Sequence, residues 1–312
     1  MSFEPKTGAF PGKIREVTLG IGAKAITLGG QSALPFYAFD APAPHPQRIG
    51  LELSDRFSGW QTPQLKQFYA DCTTMAQLAQ KAQTLEGVSF LALHFEAADP
   101  NGENRPVEDC VCDALAVSAV TELPLVILGC QNVEKDEALF SAMASALRGK
   151  NVLLFSAREE NYRTLAPAAR EGGHPLGAET ADDMNLAKQL NIMLREAGIA
   201  PERTVLNVGT AAVGYGYEYA ASTLDRIRLA ALAQGDEDLQ MPILAPVSPD
   251  SWAVKESTAD ENEEPGWGSR EERAIQMEIA TAAADLCGGA DGVILRHPAA
   301  VAAIARMISD LN

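Results

Sequence analysis

Eight apolar segments recur along this chain, and amphipathic stretches of helical spacing lie between them. The segments begin at Arg48, Val88, Pro124, Asn151, His174, Arg203, Met241 and Asp291. Strands that alternate with helices predict a parallel sheet covered by helices. Eight such units between residues 47 and 312 fit a closed (β/α)8 TIM barrel better than an open doubly wound sheet, because such barrels need about 250 residues.

Residues 1–46 precede this pattern and are predicted to form an N-terminal β-hairpin and a Pro-rich link. KIREVTLG (13–20) and KAITLGG (24–30) alternate apolar and polar residues around glycines, as hairpin strands do, and APAPHPQ follows them. We expect the hairpin to cap the N-terminal mouth of the barrel. The rest of the chain, residues 47–312, is predicted to be one TIM-barrel domain.

The composition argues against several classes of partner. The formal net charge of −17 at pH 7 lacks the basic surface that nucleic-acid binding requires. Apolar runs stay shorter than the roughly 20 residues of a membrane helix. The start of the sequence, MSFEPKTGAFPGK, lacks the apolar core of a signal peptide. We therefore expect a cytoplasmic protein that binds neither nucleic acid nor membrane.

The cysteines do not form a recognisable metal motif. They stand at positions 72, 110, 112, 130 and 287, an odd number without the spacing of a disulfide framework. Cys110 and Cys112 are the nearest pair, but side chains two residues apart on a helix point about 200° away from each other. We expect small buried residues rather than thiolate ligands, and predict that this chain holds no metal ion or iron–sulfur cluster.

In a TIM barrel, functional residues lie at the C-terminal ends of the strands. The polar residues that meet this criterion are Glu52, Asp55, His94, Glu96, Asp99, Gln131, Asn132, Ser156, Glu179, Asn207, Thr210, Ser248, Asp250 and His297. His297, before Pro298, is expected to face the mouth. The chain has no GxSxG or HExxH motif and no strand-end lysine suited to a Schiff base. No catalytic residue is predicted.

The stretch NVGTAAVGYGYEYAASTLDRIR (207–228) runs from the sixth predicted strand into a helix. It lacks the lysine of a P-loop and the pattern of a dinucleotide-binding turn. Glycine permits a close approach of a ligand to the backbone. On pattern alone, a phosphate site, a platform for a flat ligand and a plain glycine turn all stay open.

The segment after the seventh predicted strand, VSPDSWAVKESTADENEEPGWGSREER, is longer than most loops between a strand and a helix. Its acidic run is typical of a solvated segment, whereas Trp252 and Trp267 suit a partner surface or a ligand lid. We expect this loop to be mobile and to become protected when a partner and cofactor bind. Static packing on neighbouring helices is the alternative.

Several unrelated segments together resemble one family. They are GKIREVTLG, LPF at 34–36, NVEKDEALF, NLAKQLNI, GYGYEYAASTLDRIRLAAL and the EEPGWG…REER loop. In this order, from about residue 12 to the C-terminus, they closely resemble the small (delta) subunit of the corrinoid iron–sulfur protein of the acetyl-CoA synthase/CO dehydrogenase system.

The resemblance implies a TIM barrel that pairs with a large (gamma) subunit. In that family the large subunit carries the [4Fe–4S] cluster and a corrinoid-binding domain, and cobalamin lies between the subunits. The pair carries a methyl group from methyltetrahydrofolate or the corresponding archaeal pterin, through its methyltransferase, to acetyl-CoA synthase. This is a step of one-carbon metabolism and carbon fixation. This chain is then expected to cover the cobalamin without catalysing a reaction itself.

The residues expected to contact cobalamin lie at strand ends and in the glycine-rich stretch. They are Gly209, Thr210, Gly214, Tyr215, Ser248, Trp252 and His297. Three alternatives stay open. The first is a stand-alone methyltransferase barrel that binds a pterin through Asp99, Asn132 and Asn207. The second is a paralogous subunit that serves another corrinoid protein, and the third is a scaffold that organises a complex through its acidic surface.

Overall fold

The computed structural model of this chain describes residues 7–37, 40–60 and 62–311. The strands are β1 (Val17–Leu19), β2 (Ile26–Leu28), β3 (Arg48–Ser54), β4 (Val88–His94), β5 (Leu125–Leu128), β6 (Leu153–Ala157), β7 (Leu176–Glu179), β8 (Thr204–Asn207), β9 (Leu244–Ala245) and β10 (Gly292–Leu295). The helices are α1 (Pro63–Phe68), α2 (Met75–Ala82), α3 (Val107–Val120), α4 (Val133–Ala146), α5 (Tyr162–Gly172), α6 (Met184–Glu196), α7 (Tyr217–Ala233), α8 (Val247–Ser251), α9 (Lys255–Thr258), α10 (Arg270–Gly288) and α11 (Pro298–Leu311). In these described ranges, no helix is long and apolar enough to cross a membrane.

Strands β3 to β10 form one parallel barrel. Their order in the sheet is β8-β7-β6-β5-β4-β3-β10-β9, and a parallel bridge between Leu206 and Ile243 joins the two edges. All eight predicted strands are present, including the segment at His174, which forms β7. The TIM-barrel prediction is confirmed.

Alternation along the strands separates an inner from an outer core. The residues that fill the barrel axis include Phe90, Ala92, Val126, Leu153, Phe155, Val205, Leu244 and Ile294. The intervening positions, such as Leu91 and Leu93, pack beneath the helices. Because both faces of the sheet are buried, the strands are almost continuously apolar in sequence.

The hairpin closes the N-terminal end of the barrel axis. β1 and β2 pair antiparallel, and Val17, Leu19, Ile26 and Leu28 pack in the same cluster as the inner strand residues. Asn151, just before β6, donates from Nδ2 to the carbonyls of Thr18 (2.8 Å) and Gly20 (3.0 Å). The apolar face of the hairpin therefore covers the barrel core at the end opposite to the strand C-termini.

Gly50 in β3 makes room for an aromatic ring inside the barrel. A Cβ atom at this position would lie 2.1 Å from Cε2 of Phe90, which is fully buried. The ring of Phe90 thus occupies the space that a larger residue at position 50 would need. Packing at this level of the barrel depends on the pairing of the smallest residue with a large one.

We predict that Gly50→Ala destabilises the protein by about 1–3 kcal/mol, because overpacking displaces a buried ring. Urea denaturation measures the change, and Gly59→Ala is the control, since nothing lies within 4 Å of a Cβ at Gly59. The double variant Gly50→Ala/Phe90→Leu should lose less stability than the two single changes added together. Equal effects of the two alanine substitutions would contradict this packing account.

Candidate functional site at the barrel mouth

The C-terminal ends of the strands surround a cavity of about 300 Å³. It is lined by strand-end residues, by the start of the glycine-rich turn and by the segment after β9. The lining residues include His94, Leu128, Gln131, Phe155, Glu179, Thr180, Asn207, Gly209, Thr210, Pro246, Pro249 and Asp250. This is the position at which TIM barrels bind their ligands.

Glu52, fully buried at the inner face of β3, is the centre of one polar cluster. Arg296 donates to both of its oxygens, from Nε at 2.9 Å and from Nη2 at 3.1 Å. His94 Nδ1 lies 2.7 Å from Oε1. Burial opposes the charged carboxylate, but Arg296 and His94 outweigh it and hold the pKa of Glu52 well below its usual range. Glu52 is therefore an ionised group with its charge fully matched.

The same carboxylate fixes the histidine at the mouth. Burial favours the neutral imidazole, yet the hydrogen bond and charge of Glu52, together with the charge of Glu96, raise the pKa of His94 above its ordinary value. A carboxylate that binds one ring nitrogen sets the orientation of the ring. His94 is thus held in one orientation, and its protonated form is more stable than that of a free histidine.

Arg296 lies between two indole rings. Its guanidinium carbon is 5.4 Å from the ring centre of Trp60 and 5.6 Å from that of Trp252. Trp252 in turn stacks on His297, with 6.0 Å between ring centres and 11° between the planes. The ion pair with Glu52 therefore also positions the beginning of the long segment after β9 through cation–π contacts.

A second polar cluster lies across the mouth. Ser156 donates from Oγ to Glu179 Oε2 (2.8 Å), and Asn207 donates from Nδ2 to Ser156 Oγ (3.3 Å). Arg158 donates from Nε to Glu179 Oε1 (2.9 Å), and it also hydrogen-bonds Gln131. Side chains from β6, β7 and β8 are thereby joined on one wall of the cavity.

The glycine-rich turn between β8 and α7 is tied to the barrel at three points. Thr210 Oγ1 donates to Asp285 Oδ2 (2.8 Å), and the backbone N–H of Val213 donates to Thr281 Oγ1 (3.1 Å). Tyr215 donates from its hydroxyl to Glu256 Oε2 (2.5 Å). Gly214 has a φ of +93°, in the region that favours glycine. The turn therefore has a defined shape against α10 and α9.

The long segment after β9 packs on α10. Arg273 donates from Nε to the carbonyl of Glu256 (2.7 Å) and from Nη2 to that of Ala259 (2.5 Å). Trp267, 39% exposed, lies 4.9 Å from Lys255 Nζ and 5.7 Å from the guanidinium of Arg273. These contacts order the segment in this conformation, and its change on partner binding stays a prediction.

The structure brings only two of the predicted cobalamin-contact residues into the cavity, Gly209 and Thr210. Tyr215 lies on the outer part of the turn and is 47% exposed. Nothing lies within 4 Å of a Cβ at Gly214, so the space beside this glycine is open. Ser248 is fully buried in α8 and does not line the cavity. Their assignment to cobalamin binding stays a prediction.

The expectation that His297 faces the mouth is wrong. The residue is 1% exposed, and its ring packs between Trp252 and Glu271, whose Oε1 lies 3.5 Å from Nε2. Alternation along β10 points Ile294 inward, and the next inward position is Arg296. Position 297 therefore faces the helix layer.

Sequence reasoning missed Arg296. β10 pairs with β3, and Leu295 lies opposite Leu51, so inward positions 296 and 52 are neighbours across the sheet. Opposite charges at adjacent inward positions of paired strands were the signal that could have found the pair.

Of the three residues proposed to bind a pterin, two lie outside the mouth cavity. Asn207 lines the cavity, but Asn132 caps α4 and Asp99 binds the backbone of Asn101.

Glu52, His94 and Glu96 place one ligand atom each within 4.8 Å of one another, a spacing compatible with a metal ion. The carboxylate of Glu52 is already bound by the guanidinium of Arg296, which a cation would have to displace. The contacts are those of a buried ion pair extended by a histidine. Among the described residues, no such group contains a cysteine.

Comparison with known proteins identifies the family. The model of the CO dehydrogenase/acetyl-CoA synthase delta subunit family matches residues 16–275. This chain belongs to that family. The acetyl-CoA decarbonylase/synthase complex subunit delta of Archaeoglobus fulgidus is 32% identical over 99% of this chain and 71% of its own length. The subunit of the same name from Methanothermobacter thermautotrophicus is 32% identical over 96% and 76%.

Solved structures of similar fold support the architecture of this delta-subunit family member. Dihydropteroate synthase from Xanthomonas albilineans matches with a TM-score of 0.57 and 16% identity over 95% of this chain and 98% of that one. The 7,8-dihydropteroate synthase of Vibrio fischeri gives a TM-score of 0.57 at 13% identity, over 94% and 97%. At such identities the likeness establishes the barrel fold alone.

The anchor of the glycine-rich turn predicts a pH dependence. Burial raises the pKa of Asp285 to about 7, with the charges of Asp250 and Asp182 adding to the shift. The unfolded carboxyl titrates near 3.9. Between these values the native state retains a proton that the unfolded state has lost, so this group reduces stability as pH rises from about 4 to 7.

We therefore predict that Asp285→Asn gains stability relative to the wild type as pH rises from 4 to 8, by on the order of 2 kcal/mol. Urea denaturation at several pH values measures this difference. Asp310→Asn serves as the control, because Asp310 is an exposed residue of α11. A stability difference between wild type and Asp285→Asn that is constant with pH would show that Asp285 is ionised throughout.

Proposed function

We propose that this chain is the small subunit of a heterodimeric corrinoid iron–sulfur protein, in which it covers one face of a cobalamin at the subunit interface. The large (gamma) subunit would hold the [4Fe–4S] cluster and most of the corrinoid. The pair would accept a methyl group from the methyltetrahydrofolate methyltransferase and pass it to acetyl-CoA synthase. Membership of the delta-subunit family is the observation that carries this proposal.

The exposed surface of the glycine-rich turn supports the assignment of this chain to cobalamin binding. Val213, Tyr215 and Tyr219 are 37%, 47% and 68% exposed, so the turn that begins at the mouth cavity exposes three large side chains within residues 213–219. Exposed apolar groups of this kind mark binding surfaces. Beside them, the open space at Gly214 admits a flat ligand close to the backbone. These residues fit a corrin macrocycle and a partner subunit.

The residues of this chain would contribute by holding a binding surface in a fixed place, without taking part in the reaction. The turn, tied to α10 through Thr210 and to α9 through Tyr215, would present a fixed apolar surface to the corrin. Such a surface excludes water from the cofactor. The methyl-transfer chemistry itself belongs to the cobalt, and the protein supplies orientation and environment. This assignment gives the chain no catalytic residue for methyl transfer.

We predict that Tyr219→Arg weakens assembly of this chain with its cobalamin-loaded large subunit at least tenfold. A charged side chain would replace an exposed aromatic group, and buried tyrosines at interfaces are often worth 2 kcal/mol or more. Analytical ultracentrifugation of the two subunits, monitored in the visible absorption of cobalamin, measures the affinity.

Leu115→Arg is the matched control, because Leu115 is 44% exposed on α3 and lies outside the turn and the cavity lining. Equal affinities for wild type, Tyr219→Arg and Leu115→Arg would place the interface elsewhere on the barrel. Failure of the wild-type chain to associate with the large subunit would overturn the proposed function itself.

A further inference from the structure

We propose that the mouth cavity receives a carboxamide side chain of the corrin, with His94 donating to the amide oxygen and Asp250 accepting from the amide N–H groups. The inference rests on the proposed function and adds a specific subsite to it. Its basis is the juxtaposition of a fixed donor and unpaired acceptors in one cavity beside the glycine-rich turn.

The cavity and the turn form one continuous surface. Gly209 and Thr210 line the cavity and are also the first residues of the turn that leads to Gly214 and Tyr215. A flat ligand on the turn therefore lies next to the cavity opening. Cobalamin carries acetamide and propionamide groups around the edge of its ring, and these reach several ångströms beyond the macrocycle. One such arm is the part of the ligand that a cavity of about 300 Å³ can take up.

The hydrogen-bond donor of the proposed subsite is Nε2 of His94. Nδ1 is bound to Glu52, and in the described part of the chain Nε2 has no protein hydrogen-bond partner. The side chain is 8% exposed, and the residue lines the cavity. Its neighbours Glu52, Glu96 and Asp55 are acidic and Arg296 is basic, and the hydrogen bond and charge of Glu52 raise the pKa of the imidazole above its ordinary value against burial. Because Nδ1 is held by Glu52, protonation of the ring places an N–H group on Nε2, and this is the group that donates to the ligand in the proposed subsite.

The opposite wall supplies acceptors. Glu179 is bound by Arg158 and Ser156, whereas the side-chain carboxylate of Asp250 forms no ion pair or hydrogen bond with any residue that the structure describes. Asp250 lies exposed at the mouth, and partial desolvation of its carboxylate, with the charges of Asp182 and Glu179, raises its pKa above the ordinary range. Thr180 also lines the cavity, and its buried hydroxyl lacks a partner within the described ranges. Asp250 and Thr180 thus have unused capacity for a ligand.

A primary amide matches this arrangement better than a charged group. It offers one acceptor and two donors in a fixed geometry. A carboxylate in the same place would be repelled by Glu179 and Asp250, and an ammonium group has no acceptor for the hydrogen bond of a protonated His94. The cavity therefore predicts a neutral arm with both donor and acceptor atoms.

The test compares cobalamin with derivatives in which one amide is hydrolysed to a carboxylate. Each monocarboxylic acid isomer is titrated into the assembled heterodimer, and the change in visible absorption gives its affinity. We expect one isomer to bind at least tenfold more weakly than cobalamin, because it loses a charge-assisted hydrogen bond and gains a repulsive contact. In Asp250→Asn this penalty should fall to within about threefold.

The donor is tested with His94→Gln. It should weaken the binding of cobalamin about tenfold and abolish the decrease in affinity that the wild type shows as pH rises through the titration of His94. His45→Gln is the matched control, since His45 lies in the Pro-rich link, near Glu16, and does not line the cavity. Its affinity and pH profile should equal those of the wild type.

Two results would overturn the inference while the proposed function stands. One is equal affinity for all monocarboxylic isomers, and the other is unchanged cobalamin binding in His94→Gln and Asp250→Asn. A heterodimer that forms but binds no cobalamin would instead refute both the subsite and the cofactor assignment. Circular dichroism of each variant separates loss of a contact from loss of folding.

Discussion

The buried ion pair between Glu52 and Arg296 is the interaction on which the rest of the mouth depends. It joins adjacent strands β3 and β10 at their C-terminal ends and matches the charges of two buried side chains. Removing one partner of such a pair typically costs 3–5 kcal/mol, because the other charge is left buried. Through Glu52 the pair fixes His94, and through Arg296 it holds Trp60 and Trp252. One contact therefore positions a cavity wall and the start of the long segment after β9.

The barrel was predictable because its strands obey two simple rules. Apolar segments of the right length alternate with amphipathic helices, and inward residues alternate with outward ones. The segment at His174 contains a proline and a glycine and still forms β7, since its neighbours β6 and β8 fix where a strand must lie. The hairpin followed from local alternation as well.

The site was less predictable, because strand-end position does not tell which side of the sheet a side chain occupies. His297 and Arg296 are consecutive, yet one faces the helices and the other the barrel interior. The anchoring of Thr210 by Asp285 depends on a contact between residues distant in sequence. The capping of α4 by Asn132 is local, because its side chain accepts from the backbone N–H of Lys135 three residues later. Alternation along β10 assigns Ile294 and Arg296 to the inner face, and this pattern would have identified the ion pair with Glu52.

A structure of the cobalamin-loaded heterodimer tests the central claim most directly, namely that this barrel mouth covers the corrin. The account predicts that the macrocycle lies against residues 209–219, with an amide arm directed toward His94. A corrin enclosed entirely by the large subunit, with the barrel mouth of this chain open to solvent, would contradict it.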